Sequence, residues 1–203
     1  MRTRLRGLRT HMLNILVVGL LAASVFFTIE VERRREALQA TQDGDFKAGD
    51  EVLVVAVIDG DEVSVTDGQG RRTLVRLVGL RAFAPAVNDP TVGTHGQRAF
   101  DHLTGLVGQK VKVFPGDPAR DSRQRLLAHL ETTADPPVDV ARQMISDGLG
   151  VAYTEYAHTR EVDYLAAEVE AARARRGVWA DEALVERIQA QKQAWNERRS
   201  RRQ

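Results

Sequence analysis

The sequence predicts an α+β fold: a small five-stranded barrel with flanking helices, preceded by one transmembrane helix and followed by a helical tail. Three observations predict it. Leu13 to Ile29 is a run of 17 residues without a charge. From Gly49 onward, short segments rich in β-branched residues are separated by turn signals. Segments of helical period interrupt these strands after the third and follow the last. A chain of 203 residues, 28% charged and 43% hydrophobic, has room for one ordinary domain with an anchor and a tail. Cysteine is absent, which excludes disulfides, thiolate metal sites and a cysteine nucleophile.

The anchor comes first in the chain. Residues 1–12 are basic, with Arg2, Arg4, Arg6 and Arg9 ahead of the apolar run LNILVVGLLAASVFFTI. A helix of that length, over residues 13–30, sits at the lower edge of what spans a bilayer core. Arg33, Arg34 and Arg35 follow it, diluted by Glu30, Glu32 and Glu36. The positive-inside rule counts arginine and lysine and largely ignores acids. It therefore places the N-terminus in the cytoplasm and the barrel on the periplasmic or extracellular side of a single-pass protein. A cleaved signal peptide would share the charged start, with Ala22-Ala23-Ser24 as a processing site. The apolar run continues through Val25-Phe26-Phe27, which argues for a retained anchor. The good helix formers of VERRREALQAT extend the helix into a linker over 31–48, ended by Asp43-Gly44-Asp45.

The barrel is expected over residues 49–180. DEVLVVAVI is the first strand, DGD the turn, EVSVT the second strand, DGQG a hairpin signal and RRTLVRLVGL the third strand. GTHGQRAFDHLTGLVGQ reads as a helix with Ala99, Phe100, Leu103, Leu106 and Val107 on one face. KVKVFP and RLLAHLE complete five strands, the count and order of a Greek-key OB barrel. Helices follow around Val138–Asp147 and Glu161–Arg175. The tail, 181–203, is a further helix on which Leu184, Ile188 and Trp195 share a broad face. That face suits either a partner or the chain's own barrel. The closing run RRSRRQ reads as a solvated end.

Charge is unevenly spread: net +4 over residues 1–42, −4 over 43–160 and +1 over 161–203. Proteins that grip a nucleic-acid backbone draw most of their non-specific affinity from positive charge. An acidic barrel weighs against nucleic acid as the partner.

The ordered segments VIDGDEVSV, VRLVGL, Gly108-Gln109-Lys110-Val111, Asp121 and Arg125 before LLAHL, DGLGVAY and AAEVEAARARRGVW carry a resemblance. Together they make residues 49–180 similar to the staphylococcal-nuclease (thermonuclease) family. The resemblance implies a calcium ion held by carboxylates, a glutamate that activates water and two arginines that clamp phosphate. The first metal acid of the family's DGDT turn matches Asp61, and the clamp arginines match Arg76 and Arg125. The rest of the family's site is missing. Where the family places a second metal aspartate and the glutamate, this chain has Arg81 and Ala84 without a gap, or Phe83 and Ala86 with a two-residue insertion. Leu77 to Asn88 contains no acid under either alignment. Of the two nucleotide-flanking tyrosines, Tyr153 fits, Glu155 replaces the second, and Tyr156 lies one residue on.

Calcium needs six to eight oxygens, and one carboxylate beside an arginine is a poor start. Metal binding is therefore expected to be lost, with Arg81 pairing Asp61 in place of the cation. Asp59-Gly60-Asp61 also reads as an ordinary strand-connecting turn, and Arg76 and Arg125 as fold-stabilising ion-pair partners. His95, His102 and His129 lack metal-ligand spacing, and Trp179 reads as core.

The function expected is that of a pseudoenzyme: a membrane-anchored, catalytically inactive nuclease-like domain serving as accessory or scaffold subunit among other membrane proteins, with no cofactor. Two alternatives stand beside it. One is a membrane-bound nuclease with a rearranged acid set such as Asp59, Asp61 and Asp121. The other is an anion- or nucleic-acid-binding OB module using Arg76, Arg81 and Arg125, with Tyr153 at its edge.

Overall fold

β1 (Asp50–Asp59), β2 (Glu62–Thr66) and β3 (Arg72–Leu77) form an antiparallel meander in the computed structural model, which describes residues 46–85 and 89–202. The β2–β3 turn is held by Asp67, whose side chain accepts hydrogen bonds from the N–H groups of Gln69 and Arg71 at 2.9 and 3.0 Å. An aspartate bonding the backbone two residues on is what this turn chemistry requires. β5 (Lys110–Arg120) and β6 (Leu126–Thr132) form a second hairpin. β1 pairs antiparallel with β5, and β3 runs parallel to β6, closing a barrel in the order β1-β2-β3-β6-β5. This is the five-stranded OB-type barrel that the strand count predicts.

Alternation along each strand sends one side chain in two to the interior. Val52, Val54, Val63, Val65, Val75, Leu77, Val111, Val113, Leu126, Ala128 and Leu130 are at most 2% exposed and form the core. Each large apolar side chain so buried contributes about 1.5–3 kcal/mol relative to exposure.

Two strand boundaries differ from the sequence reading. The third strand does not run unbroken to Leu80. The chain turns at Gly79, whose φ of +74° is left-handed backbone that a residue with a Cβ adopts only at a cost. β4 (Leu80–Arg81) then leaves the barrel and pairs with β7 (Val151–Ala152), a strand too short to register as a periodic pattern. The fourth barrel strand continues past Pro115 to Arg120, because Pro115 still faces Ala128 and the ladder resumes at Arg120 opposite Leu126.

α1 (Pro90–Thr104) joins β4 to β5. The Asp89 side chain caps it by accepting from the N–H groups of Thr91 and Val92, and Pro90 occupies the first turn, where its missing N–H costs nothing. Ala99 and Leu103 turn inward as expected, but Val107 is 41% exposed. The helix ends at Thr104, so helical periodicity no longer places that side chain.

α2 (Val140–Ser146) and α3 (Glu161–Arg173) cover the barrel and add Met144, Ile145, Tyr164 and Ala167 to its core. A 3₁₀ turn (Gly177–Ala180) leads into α4 (Glu182–Ser200), capped by the Asp181 side chain. Leu184, Ile188 and Trp195 pack with Val92, Val151 and Val178 as a second apolar cluster, flanked by Phe83, Tyr153 and Trp179. Trp179 is thus only partly buried; its neighbour Val178 is the residue at 0% exposure. Among the described residues no helix is long and apolar enough to cross a membrane. The anchor expected over 13–30 and all but the end of the linker expected over 31–48 lie outside the described residues.

Candidate functional site

Strand order brings the sequence-predicted residues together at one end of the barrel. Glu62 at the start of β2 stands opposite Arg76 of β3, Arg76 stands opposite Leu127 of β6, and Arg125 immediately precedes β6. Asp61 closes the β1–β2 turn next to them, and its carbonyl accepts from the Leu77 N–H at 3.0 Å. The Asp61 side chain is 3% exposed.

Arg76 donates to the Asp61 carboxylate at 2.8 Å, with its own side chain only 16% exposed. Arg81 Nη1 lies 3.8 Å from the same oxygen and is 48% exposed. The expected Arg81–Asp61 pair is therefore present only as the outer, longer contact. Arg76, already beside Asp61 on the neighbouring strand, takes the close position. Burial pushes the Asp61 carboxyl above the ordinary aspartate range, although Arg76, Arg81 and a backbone hydrogen bond from Ala82 pull it back. Arg81 stands at the site itself and Phe83 turns into the second apolar cluster, the placement the ungapped alignment implies.

Arg125 is pinned from two sides. It reaches Glu62 at 2.5 Å, and Asp121 through its Nε at 2.7 Å and Nη2 at 2.6 Å. Asp121 also accepts from the N–H groups of Arg123 and Arg125, so the β5–β6 turn presents a carboxylate already oriented toward the guanidinium. Burial is the largest single influence on the Asp121 carboxyl and raises its pKa, but these bonds and the Arg125 charge together outweigh it and hold the carboxyl below the usual aspartate range. Glu62 went unnoticed in the sequence reading, yet a signal was there. It stands where the DGDT turn of the family has threonine.

The tyrosine segment is covered by α4. Tyr153 meets the Trp195 ring edge-on, with centroids 4.8 Å apart, and its hydroxyl donates to Glu155 at 3.1 Å. Burial, with Glu155 next, pushes the Tyr153 phenol up to about 12. Glu155, 8% exposed, also receives Arg198 and Arg202 from the end of the chain, each at 2.8 Å. Arg199 reaches Glu161 at 2.6 Å, and Lys192 pairs with the buried Glu168. The basic tail is thus solvated but not free. It is tied to acids that the sequence places far away, which is why local reading missed the contacts.

Of the histidines, His102 is exposed, His95 is buried in α1, and His129 lies in a polar cluster within the core. The Tyr164 hydroxyl donates to Asp139, with oxygens 2.9 and 2.8 Å away. With that proton committed, His129 Nδ1, 2.8 Å from the same hydroxyl, is the donor of its bond. Burial, together with Arg160, lowers the His129 pKa to about 4. Arg160 pairs with Asp139 at 2.6 Å and with Glu131 at 2.7 Å.

A calcium ion does not fit this donor set. Asp61 is engaged by Arg76, Arg81 stands on its open side, and among the described residues no group of three or more His, Asp or Glu side chains is placed to hold a metal. Three arginines and three carboxylates, Asp61, Glu62 and Asp121, instead neutralise one another.

No curated protein matches the chain. A family model described as staphylococcal nuclease homologue matches residues 74–181, from β3 through the 3₁₀ turn. That match covers more than half of the 203 residues, from β3 onward, and leaves β1, β2 and the Asp61 turn outside it. The chain belongs to the staphylococcal nuclease homologue family.

Proposed function

We propose that this protein is a membrane-anchored, catalytically inactive nuclease-like domain that works as an accessory or scaffold subunit of a membrane assembly. One observation carries the inactive part: both phosphate-clamp positions are already occupied by the chain's own carboxylates. Arg76 holds Asp61 at 2.8 Å, and Arg125 holds Glu62 and Asp121 at 2.5 and 2.6 Å. A phosphodiester would have to displace these bonds at a site whose arginines are already neutralised by the chain's own acids. Tyr153 is packed against Trp195 and Arg202 lies over the Tyr156 ring, so the chain's own side chains already meet both tyrosines. The rearranged acid set finds no support, because Asp121 is committed to Arg125.

The anchor is supported by the uncharged run from Leu13 to Ile29 and its flanking arginines. An OB barrel whose site is closed still offers loops and helix faces for protein contact. Two experiments test the proposal. The full chain, purified in detergent, should cleave neither DNA nor RNA above background with added calcium; hydrolysis lost on Asp61→Ala would overturn the inactive assignment. Gentle detergent extraction should bring other membrane proteins down with the chain, and protease added to intact spheroplasts should remove the barrel. Solitary purification would count against the accessory role, and full protection against the outward topology.

A further inference from the structure

The arginines at the site are unequally bound. Arg76 and Arg125 are pinned by short bonds and mostly covered. Arg81 and Arg187 are not: each is about half exposed, at 48% and 51%, and each meets its acid only at 3.8 and 3.7 Å. Exposed pairs at such distances hold a side chain only weakly. Both residues line one cavity of about 150 Å³ between β4 and α4. Its other walls are apolar, with Phe83, Val92 and Val151, and Gln191 supplies an amide. Among the described residues that line it there is no acid. A cavity of roughly that volume accepts one benzene-sized ring.

We propose that this cavity binds a small organic anion, a single phosphate or carboxylate on a body no larger than one ring. The head group bridges Arg81 and Arg187, and the ring enters against Phe83, Val92 and Val151. Two forked guanidiniums suit such a head, since each can donate two parallel N–H bonds to paired oxygens. Desolvating the ring supplies what inorganic phosphate lacks, and Gln191 offers a further polar contact. The site is distinct from the nuclease-type phosphate clamp: it uses neither Arg76 nor Arg125, and half of its charge comes from α4. It is independent of the accessory role, because it depends only on β4, α1, β7 and α4 being packed as they are.

Isothermal titration of the full chain with phenyl phosphate, benzoate and inorganic phosphate tests this. At least one of the two ring-bearing anions should bind at least tenfold more tightly than inorganic phosphate. Arg81→Gln and Arg187→Gln should each weaken that binding tenfold or more, while Arg72→Gln, exposed on β3 away from the cavity, should leave it unchanged. Arg81→Lys and Arg187→Lys, which keep charge but lose the fork, should fall between. Melting temperatures of the free variants should match the parent, since both side chains are half exposed. Equal affinity for inorganic phosphate and the ring-bearing anions, binding indifferent to both arginine substitutions, or no binding of either ring-bearing anion would overturn the site. Loss of binding accompanied by loss of fold in the glutamine variants shifts the decision to the lysine pair, where unchanged affinity would overturn it.

Discussion

Glu62 shows how one residue changes what a site can do. A threonine in the DGDT turn would leave Arg125 a free side toward ligand; a glutamate there fills it with an intramolecular bond of 2.5 Å. Removing the Glu62 carboxylate should cost about 2 kcal/mol, the range for a hydrogen bond to a charged group, because Asp121 still holds Arg125. Arg125→Ala should cost more, about 3–5 kcal/mol, since it strands two carboxylates with side chains only 8% and 18% exposed. Urea unfolding of both variants checks the order, and the reverse order would mean that Arg125 is not the hub. The absence of acids from Leu77 to Asn88 was legible in the sequence, because it is a local fact. The replacement bonds were not. Arg125 and Glu62 lie 63 residues apart, and only the β2-β3-β6 order makes them neighbours.

Among the elements, α4 and the crossing beneath it differ most from what periodicity conveys. The pattern of Leu184, Ile188 and Trp195 predicts a helix with an apolar face, but not which surface receives it. The receiving surface is assembled from α1, β7 and the 3₁₀ turn, each contributing one buried valine, and no single segment advertises it. Trp195→Ala should destabilise the domain by about 3–5 kcal/mol, as for truncation of a buried aromatic side chain. A midpoint unchanged from the parent would show that α4 docks without it. The DGLG and GVW segments meet even more closely. Gly148, with φ +69°, accepts from the Val178 N–H at 2.9 Å, and a Cβ there would stand 2.1 Å from the Arg176 carbonyl oxygen. Gly148→Ala should therefore disrupt folding of the full chain more than Gly68→Ala, where a Cβ meets nothing within 4 Å. Circular dichroism on the pair reads the contrast directly.

At the scale of the molecule, the histidines with lowered pKa values set the pH response. His129 is held to about 4 by burial, and His95 and His158 are lowered in the same direction. Once unfolded, each binds a proton near 6.5, so the unfolded state takes up more protons between those values and stability falls as pH falls. Asp61, raised in the folded state, acts in the opposite sense, and the lowered Asp121 and Glu155 act only at more acidic pH. His129 alone should remove about 2 kcal/mol between pH 7 and pH 5. Urea midpoints at the two values should show that loss, and His129→Gln should flatten it; a pH-independent midpoint would refute the buried neutral histidine.

The closed order β1-β2-β3-β6-β5 has a consequence for synthesis. β1 begins at Asp50, but its second neighbour is β5, and β3 finds its parallel partner only in β6, which ends at Thr132. Until Thr132 has left the ribosome, the first three strands wait as a curled ribbon with both edges open, exposed to association with other unfinished chains. The polypeptide therefore depends most on protection once β3 has emerged at Leu77, before any of the helices that cover the finished barrel have been made.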